Sequence, residues 1–104
     1  MKSVTIQNII DFKKNKYKFA TITAYDFNSA QIIDNNDIPL ILVGDSASMM
    51  VYGYKTTIPV SMDEMILVVQ SVVRGTKKAL VVADMPFLSY QTSVEDAILN
   101  AGRL

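Results

Sequence analysis

Residues 39–46 read Pro-Leu-Ile-Leu-Val-Gly-Asp-Ser, and this stretch decides the fold class. Its four apolar residues, Leu40–Val43, follow one another without polar alternation, which is typical of a strand buried on both faces of a parallel sheet. Two further strands are predicted at 19–24 and 79–83, and amphipathic helical patterns separate the three strands. Strands that alternate with helices predict an α/β fold with a parallel sheet.

Four helices are predicted around these strands. Thr5 is a suitable cap for an opening helix, and a second helix is predicted over about 27–35. A capping-box signature begins the third helix, over 61–75, and this helix stops near its glycine. The fourth begins at Ser93, and we expect it to continue to Leu104, the last residue.

The residue types that the chain lacks exclude several kinds of chemistry. Its 104 residues include no cysteine and no histidine. Disulfides, thiolate nucleophiles, Ser-His-Asp triads and metal sites built on imidazole or sulfur are therefore excluded. A metal bound here must prefer oxygen ligands, as Mg²⁺ does.

Charge and hydropathy predict where the protein works. Ten basic and ten acidic residues give a net charge of zero, so we expect no nucleic-acid partner and no anionic membrane surface. No apolar run approaches the ~20 residues that span a bilayer. The N-terminus lacks the apolar region of a secretory signal, and the expected location is the cytoplasm.

Each predicted strand is followed by an aspartate. Asp26 precedes a helix and suits the role of its N-cap, whereas Asp45 precedes a long connection and Asp84 precedes Met-Pro. Ligands of parallel α/β folds bind at the carboxyl ends of the strands. Two carboxylates there without a helix to cap predict a Mg²⁺ site, with water and an anionic substrate as the remaining ligands.

The connection over 46–60 has two interpretations. It is a lid over the mouth of the site, or it is an ordinary loop whose Met49, Met50 and Val51 lie on the core or in a subunit interface. The glycines match neither a dinucleotide-binding motif nor a P-loop, so neither ligand class is supported.

Several separated motifs occur together in an order that resembles the ketopantoate hydroxymethyltransferase family. In chain order they are Thr23-Ala-Tyr-Asp26, Ile41-Leu-Val-Gly-Asp-Ser46, Gly53-Tyr54, Thr57-Ile-Pro-Val60, Asp63-Glu-Met65, Val81-Val-Ala-Asp-Met-Pro-Phe87 and Ser89-Tyr90. The resemblance extends from about Val4 to Leu104. The residues Ala47-Ser48 and Leu88 differ from those usual in the family. We expect these differences to alter the paths of the loops in which they lie.

The resemblance implies an architecture. The family fold is a (β/α)₈ TIM barrel, in which residues 1–104 would form the N-terminal helix and roughly the first three βα units, without an internal domain boundary. We therefore expect this chain to be the front part of a longer one. The family also implies a homo-oligomer, commonly a decamer.

The resemblance implies a function as well. The family uses Mg²⁺ to transfer a hydroxymethyl group from 5,10-methylenetetrahydrofolate to 3-methyl-2-oxobutanoate, forming 2-dehydropantoate for pantothenate and coenzyme A synthesis. By motif, Asp45 and Asp84 would bind the metal, and Asp45, Ser46 and Asp84 would contact the 2-oxo acid. A glutamate ligand, a substrate-binding lysine and the general-base glutamate would lie beyond Leu104, so the 104-residue chain alone is expected to be inactive.

Two other functions stay open from the sequence. One is a receiver-like signalling domain, because strand-end aspartates that bind Mg²⁺ also describe a phospho-acceptor module. That fold needs five strands, and the chain supplies three. The other is an inactive truncated remnant.

Overall fold

The computed structural model describes residues 3–104, and helices alternate with strands in this range. In chain order the elements are α1 (Ile6–Lys14), β1 (Thr21–Thr23), α2 (Phe27–Asn35), β2 (Leu40–Val43), α3 (Ala47–Met50), α4 (Met62–Gly75), β3 (Leu80–Ala83) and α5 (Val94–Arg103). None of the helices in the described range has the length and hydropathy needed to cross a membrane.

The three strands form one parallel sheet in the order β1-β2-β3. Ile22 pairs with Ile41, and Ile41 pairs with Val81, so the strands are in register along their length. The α/β fold with a parallel sheet is thus confirmed. β2 has the predicted bounds, whereas β1 and β3 are shorter than the apolar runs at 19–24 and 79–83.

The core lies on one face of the sheet. Ile41 and Val43 of β2 are completely buried, while the alternate residues Leu40 and Leu42 are only partly buried and all of β1 is exposed. The expectation that β2 is buried on both faces is wrong for this chain, because helix residues cover only the face that carries Ile41 and Val43.

α2 and α4 pack against each other more tightly than any other pair of helices in the described range. A Cβ atom on Gly75 would lie 2.5 Å from the carbonyl oxygen of Phe27 at the start of α2. Gly75 is still helical, and Thr76 follows it in an extended conformation. The glycine near the predicted end of α4 is therefore needed for close helix packing, rather than for a left-handed helix end.

The predicted helix starts are confirmed by their caps. The side chains of Thr5, Asp26, Ser61 and Ser93 each accept a hydrogen bond from the backbone N–H three residues later. Each cap satisfies one of the backbone donors that a helix leaves unpaired at its first turn. The last helix ends at Arg103, one residue earlier than expected.

A buried carboxylate connects α2 to the start of β3. Asp34 is 2% exposed, and it accepts hydrogen bonds from the backbone N–H groups of Lys77 (2.9 Å), Lys78 (3.1 Å) and Ala79 (2.8 Å). Burial alone would raise the pKa of Asp34, but these three donors and the Lys78 charge outweigh it, and the pKa is lowered. The contact fixes the entry to β3 at the sheet edge opposite the strand-end aspartates.

Candidate functional site

The predicted site residues lie together at the carboxyl edge of the sheet. Parallel pairing brings the ends of β2 and β3 to the same edge, and Asp45 and Asp84 follow these two strands directly. Both aspartates line one open cleft. The other residues of this cleft are Ala83, Met85 and Tyr90.

The main chain orients the Asp84 carboxylate. Asp84 Oδ2 accepts a hydrogen bond of 3.1 Å from the backbone N–H of Asp45, and the backbone N–H of Asp84 donates to the carbonyl oxygen of Val43 at 2.9 Å. A carboxylate has about four acceptor positions, so this contact leaves most of them free for a ligand. Within residues 3–104, the Asp45 carboxylate accepts no hydrogen bond.

Asp26 has a structural role, as predicted. Its Oδ2 atom accepts a hydrogen bond of 3.0 Å from the backbone N–H of Ser29 and caps α2. This backbone hydrogen bond is the main reason that the pKa of Asp26 is lowered. Two of the three strand-end aspartates therefore remain to bind a ligand.

A hydroxyl pair lies beside these aspartates. The Tyr25 hydroxyl and Ser46 Oγ are 2.5 Å apart. Ser46 occupies the N-cap position of α3, but its side chain makes no capping hydrogen bond. Ser46 thus lies at the predicted edge of the sheet, and its hydroxyl contacts a tyrosine that the sequence reasoning had not assigned to the site.

Gly44 allows the site residues to approach one another. A Cβ atom at this position would lie 3.0 Å from Ser46 Oγ and 3.5 Å from Asp84 Oδ2. A side chain here would therefore crowd the Ser46 hydroxyl and would lie in ordinary contact with the Asp84 carboxylate. The sequence signal for this role is a glycine directly after a buried strand and directly before the carboxylate.

The segment after Ser46 differs from the long loop expected at 46–60. It begins with the helical turn α3, and Ser48 Oγ then donates to the carbonyl oxygen of Thr56 at 2.7 Å. The Tyr52 hydroxyl donates to the carbonyl oxygen of Glu64 at 3.0 Å, which ties the segment to α4. The lid interpretation stays a prediction.

The three consecutive apolar residues 49–51 of this segment do not lie on the core. Met49, Met50 and Val51 are 45%, 71% and 46% exposed, so the interpretation that places them on the core is wrong. The neighbouring Ala47 and Ser48 are buried instead, because the turn of α3 directs these two residues inward.

Hydrogen bonds also hold the loop after β3. Ser89 Oγ donates to the carbonyl oxygen of Pro86 at 2.6 Å, and Asn100 Nδ2 of α5 donates to the carbonyl oxygen of Ser89 at 2.7 Å. This arrangement brings Tyr90 to the cleft beside Asp45 and Asp84. Tyr90 had no role predicted from the sequence, because its place depends on the path of the loop.

The donor set of the cleft suits a hard cation. Residues 3–104 contain no cluster of three or more acidic, histidine or cysteine side chains that could hold a metal by themselves. Asp45 and Asp84 supply two carboxylates, and the open cleft leaves room for water or substrate oxygens. This partial set fits Mg²⁺, which keeps several waters and is bound through one or two carboxylates.

Fold and site together define the class: an α/β protein with an oxygen-donor site at the carboxyl edge of a parallel sheet. The model of the family described as "Ketopantoate hydroxymethyltransferase" matches residues 3–104. The chain belongs to this family, and the resemblance noted in its motifs is confirmed.

Individual relatives agree with this assignment. A Dehalococcoides mccartyi protein is 52% identical over 99 residues, covering 95% of this chain and 36% of its own length. A Nitrosopumilus maritimus protein is 49% identical over 100 residues, covering 96% of this chain and 36% of its own length. A Caldicellulosiruptor bescii protein is 49% identical over all 104 residues of this chain, and the match covers 39% of its own length. All three are named 3-methyl-2-oxobutanoate hydroxymethyltransferase.

The chain therefore spans little more than a third of the length of these relatives. Family membership leaves the receiver-like interpretation without support. The relatives' names indicate a family of transferases in the pantothenate pathway.

Proposed function

We propose that this chain contributes the N-terminal part of a (β/α)₈ barrel that transfers a hydroxymethyl group to 3-methyl-2-oxobutanoate. The observation that carries the proposal is the pair Asp45 and Asp84, joined by a backbone hydrogen bond at the mouth of one cleft. The relatives' names supply the reaction. The donor is 5,10-methylenetetrahydrofolate, and the product is 2-dehydropantoate.

Three residues of this chain have roles under the proposal. Asp45 and Asp84 hold Mg²⁺, and the backbone N–H of Asp45 keeps the Asp84 carboxylate in one orientation. Bound Mg²⁺ supplies Lewis-acid stabilisation of negative charge on the keto oxygen. The Ser46 hydroxyl donates a hydrogen bond to an oxygen of the 2-oxo acid, and this contact fixes the acid relative to the two carboxylates.

The remaining parts of the site lie outside this chain under the proposal. A glutamate ligand, a substrate-binding lysine and the general-base glutamate follow Leu104 in the complete barrel. The complete protein assembles as a homo-oligomer, a decamer in this family, and works in the cytoplasm. The 104-residue chain alone is inactive, because it carries no general base for the C3 proton.

A protein joined from two parts tests the proposal. The joined protein carries residues 1–104 of this chain, followed by the rest of the Dehalococcoides mccartyi relative. We expect Mg²⁺-dependent formation of 2-dehydropantoate by the joined protein. Its Asp84→Asn variant should lose at least about 100-fold in turnover, the scale of removing one group that stabilises developing charge, and should bind Mg²⁺ more weakly by calorimetry.

Asp11→Asn is the matched control. Asp11 is an aspartate of α1 whose carboxylate accepts a hydrogen bond from Gln7, and α1 contributes nothing to the cleft. This variant should keep the turnover and Mg²⁺ affinity of the joined protein. Turnover by Asp84→Asn at the level of the joined protein would refute the metal-binding role.

A further inference from the structure

We infer that Tyr25 is a positioning residue for Ser46: its phenol donates to Ser46 Oγ and thereby directs the Ser46 hydroxyl hydrogen to an oxygen of the bound 2-oxo acid. The inference deepens the proposed function and rests on it. Tyr25 itself does not touch the substrate in this arrangement.

The position of the Tyr25 hydroxyl is fixed from two sides. The preceding residue, Ala24, is buried and donates its backbone N–H to the carbonyl oxygen of Leu42 at 3.0 Å. The Tyr25 ring is partly buried and packs against the core. A tyrosine side chain has only two rotatable torsions before the ring ends, so a packed ring holds its hydroxyl in place.

The hydroxyl pair has a preferred direction. The distance of 2.5 Å between the Tyr25 hydroxyl and Ser46 Oγ is at the short end for two oxygens. A phenol is the more acidic of the two hydroxyls and is therefore the better donor. When Tyr25 donates, Ser46 Oγ is the acceptor and its own hydrogen remains free for another oxygen. A hydroxyl that accepts one hydrogen bond is also a stronger donor in the next one.

The surroundings of Ser46 place that free hydrogen near the carboxylates. Ser46 Oγ and Asp84 Oδ2 flank the same point, where a Cβ atom on Gly44 would lie. The Ser46 side chain also makes no capping hydrogen bond to α3, which would otherwise hold it. Tyr25 is thus the single side chain in the described range that fixes the Ser46 hydroxyl.

Removal of the phenol should free the Ser46 side chain. Its χ1 torsion has three staggered positions, and without the Tyr25 hydroxyl no side chain in the described range selects one of them. Each position that points away from the cleft lowers the affinity for the 2-oxo acid. The loss should appear in substrate binding rather than in the chemical step, because the contact is made before the reaction as well as during it.

The Tyr25→Phe variant of the joined protein tests this prediction, since it removes only the hydroxyl and keeps the ring. We expect the KM for 3-methyl-2-oxobutanoate to rise about 3- to 10-fold, the effect of one hydrogen bond, with kcat within about twofold. Ser46→Ala should raise KM at least as much. The double variant should match Ser46→Ala alone, because Tyr25 acts only through Ser46. Additive effects of the two substitutions would overturn the inference.

Tyr17→Phe is the matched control. Tyr17 packs against Phe12 with its ring tilted, lies outside the lining of the cleft, and is 60% exposed. Loss of its hydroxyl should leave both KM and kcat unchanged. An equal rise of KM in this variant would assign the effect to a general loss of stability and would also overturn the inference.

Crystal structures separate this inference from the proposed function. Ser46 should occupy one rotamer in the joined protein and several in its Tyr25→Phe variant, whatever reaction the protein catalyses. One unchanged Ser46 rotamer in both structures would overturn the positioning role. A joined protein without turnover, in which Ser46 still becomes disordered in Tyr25→Phe, would refute the proposed function and leave the positioning contact standing.

Discussion

Leu88 holds a backbone conformation that suits glycine. Its φ angle is +67°, and its side chain is 56% exposed in the turn closed by Ser89 and Pro86. A non-glycine residue in the left-handed region costs roughly 1–2 kcal/mol. A leucine at this position therefore adds strain to the loop that carries Tyr90.

Leu88→Gly should relieve this strain. A glycine costs about 0.5–1 kcal/mol more than other residues to order on folding, so the net gain is smaller than the strain, about 0.5–1 kcal/mol. We expect the thermal midpoint of the joined protein to rise by about 1–3 °C. Differential scanning calorimetry measures this shift.

Gly53→Ala is the control, because it adds a side chain at a positive φ angle instead of removing one. Its φ angle is +74°, and a Cβ atom there would meet nothing within 4 Å. Gly53→Ala should lower the thermal midpoint, because the added strain is not offset by packing. A Leu88→Gly midpoint at or below that of the parent would contradict the strain at Leu88.

At the residue scale, the sequence predicted the positions of the three candidate site residues, whose roles stay predictions. Asp45, Ser46 and Asp84 are placed by the end of a strand, and an apolar run marks that end. The contact between Tyr25 and Ser46 was not predictable in this way. It joins side chains 21 positions apart, and their distance depends on torsions that no pattern in the sequence records.

Among the polar contacts between elements, we expect the Asp34 network to contribute most to stability. Asp34→Asn keeps the shape of the side chain but removes its charge and turns one acceptor into a donor that faces backbone N–H groups. We expect a loss of about 2–3 kcal/mol at neutral pH. Urea denaturation of the joined protein measures the loss.

The pH dependence of this loss has a defined sign. The folded-state pKa of Asp34 is lowered, so the carboxylate stabilises the fold above the ordinary aspartate pKa, and the stabilisation disappears as pH falls through the folded value. The difference between parent and Asp34→Asn should therefore be constant near neutral pH and shrink below about pH 4.

Asp37→Asn is the control for this experiment. Asp37 pairs with Lys78 at 2.6 Å, but its side chain is 65% exposed. An exposed ion pair contributes about 0–1 kcal/mol. Equal losses of unfolding free energy in Asp34→Asn and Asp37→Asn would show that the buried network stabilises the fold no more than an exposed ion pair does.

Elements with a strong periodic signal were predicted closely. α2, β2 and the start of α4 have the expected positions, because their caps and apolar runs are local features. α3 was missed because four residues are too short to display helical periodicity. β1 is shorter than its apolar run because it has a partner on one side only.

For the whole molecule, the main feature is apolar surface left uncovered. β1 and β3 each have one unpaired edge in the described range, and the sheet face opposite the core has no helix on it. α5 contributes further exposed side chains at Val94 (72%), Ile98 (66%) and Leu99 (68%). Unpaired strand edges and apolar patches favour association with other chains.

The 104-residue chain alone should therefore associate, and the joined protein should bury the same surface. We expect the chain alone to bind a hydrophobic dye, to sediment in a concentration-dependent manner and to form no 2-dehydropantoate. A single species of 11.5 kDa with a cooperative thermal transition would contradict this prediction. The joined protein, measured at the same concentrations, is the control.

The sequence predicted the parallel sheet but not how much of it is covered. Continuous apolar strands indicated burial on both faces, yet only the face of Ile41 and Val43 is covered by helices. The apolar run of a strand indicates only that its side chains are suited to burial. Which chain segment covers those side chains depends on residues that are distant in sequence, and no local pattern identifies that segment.

The order of the strands also bears on synthesis. After β1, each strand of the described range pairs with the strand that precedes it in the chain, so β2 meets β1 and β3 meets β2. A ribosome releases the N-terminal residues first, at about 5–20 residues per second. β2 and β3 consequently each find a partner already outside the ribosome when they emerge. The sheet can grow in the direction of translation, one strand and one helix at a time.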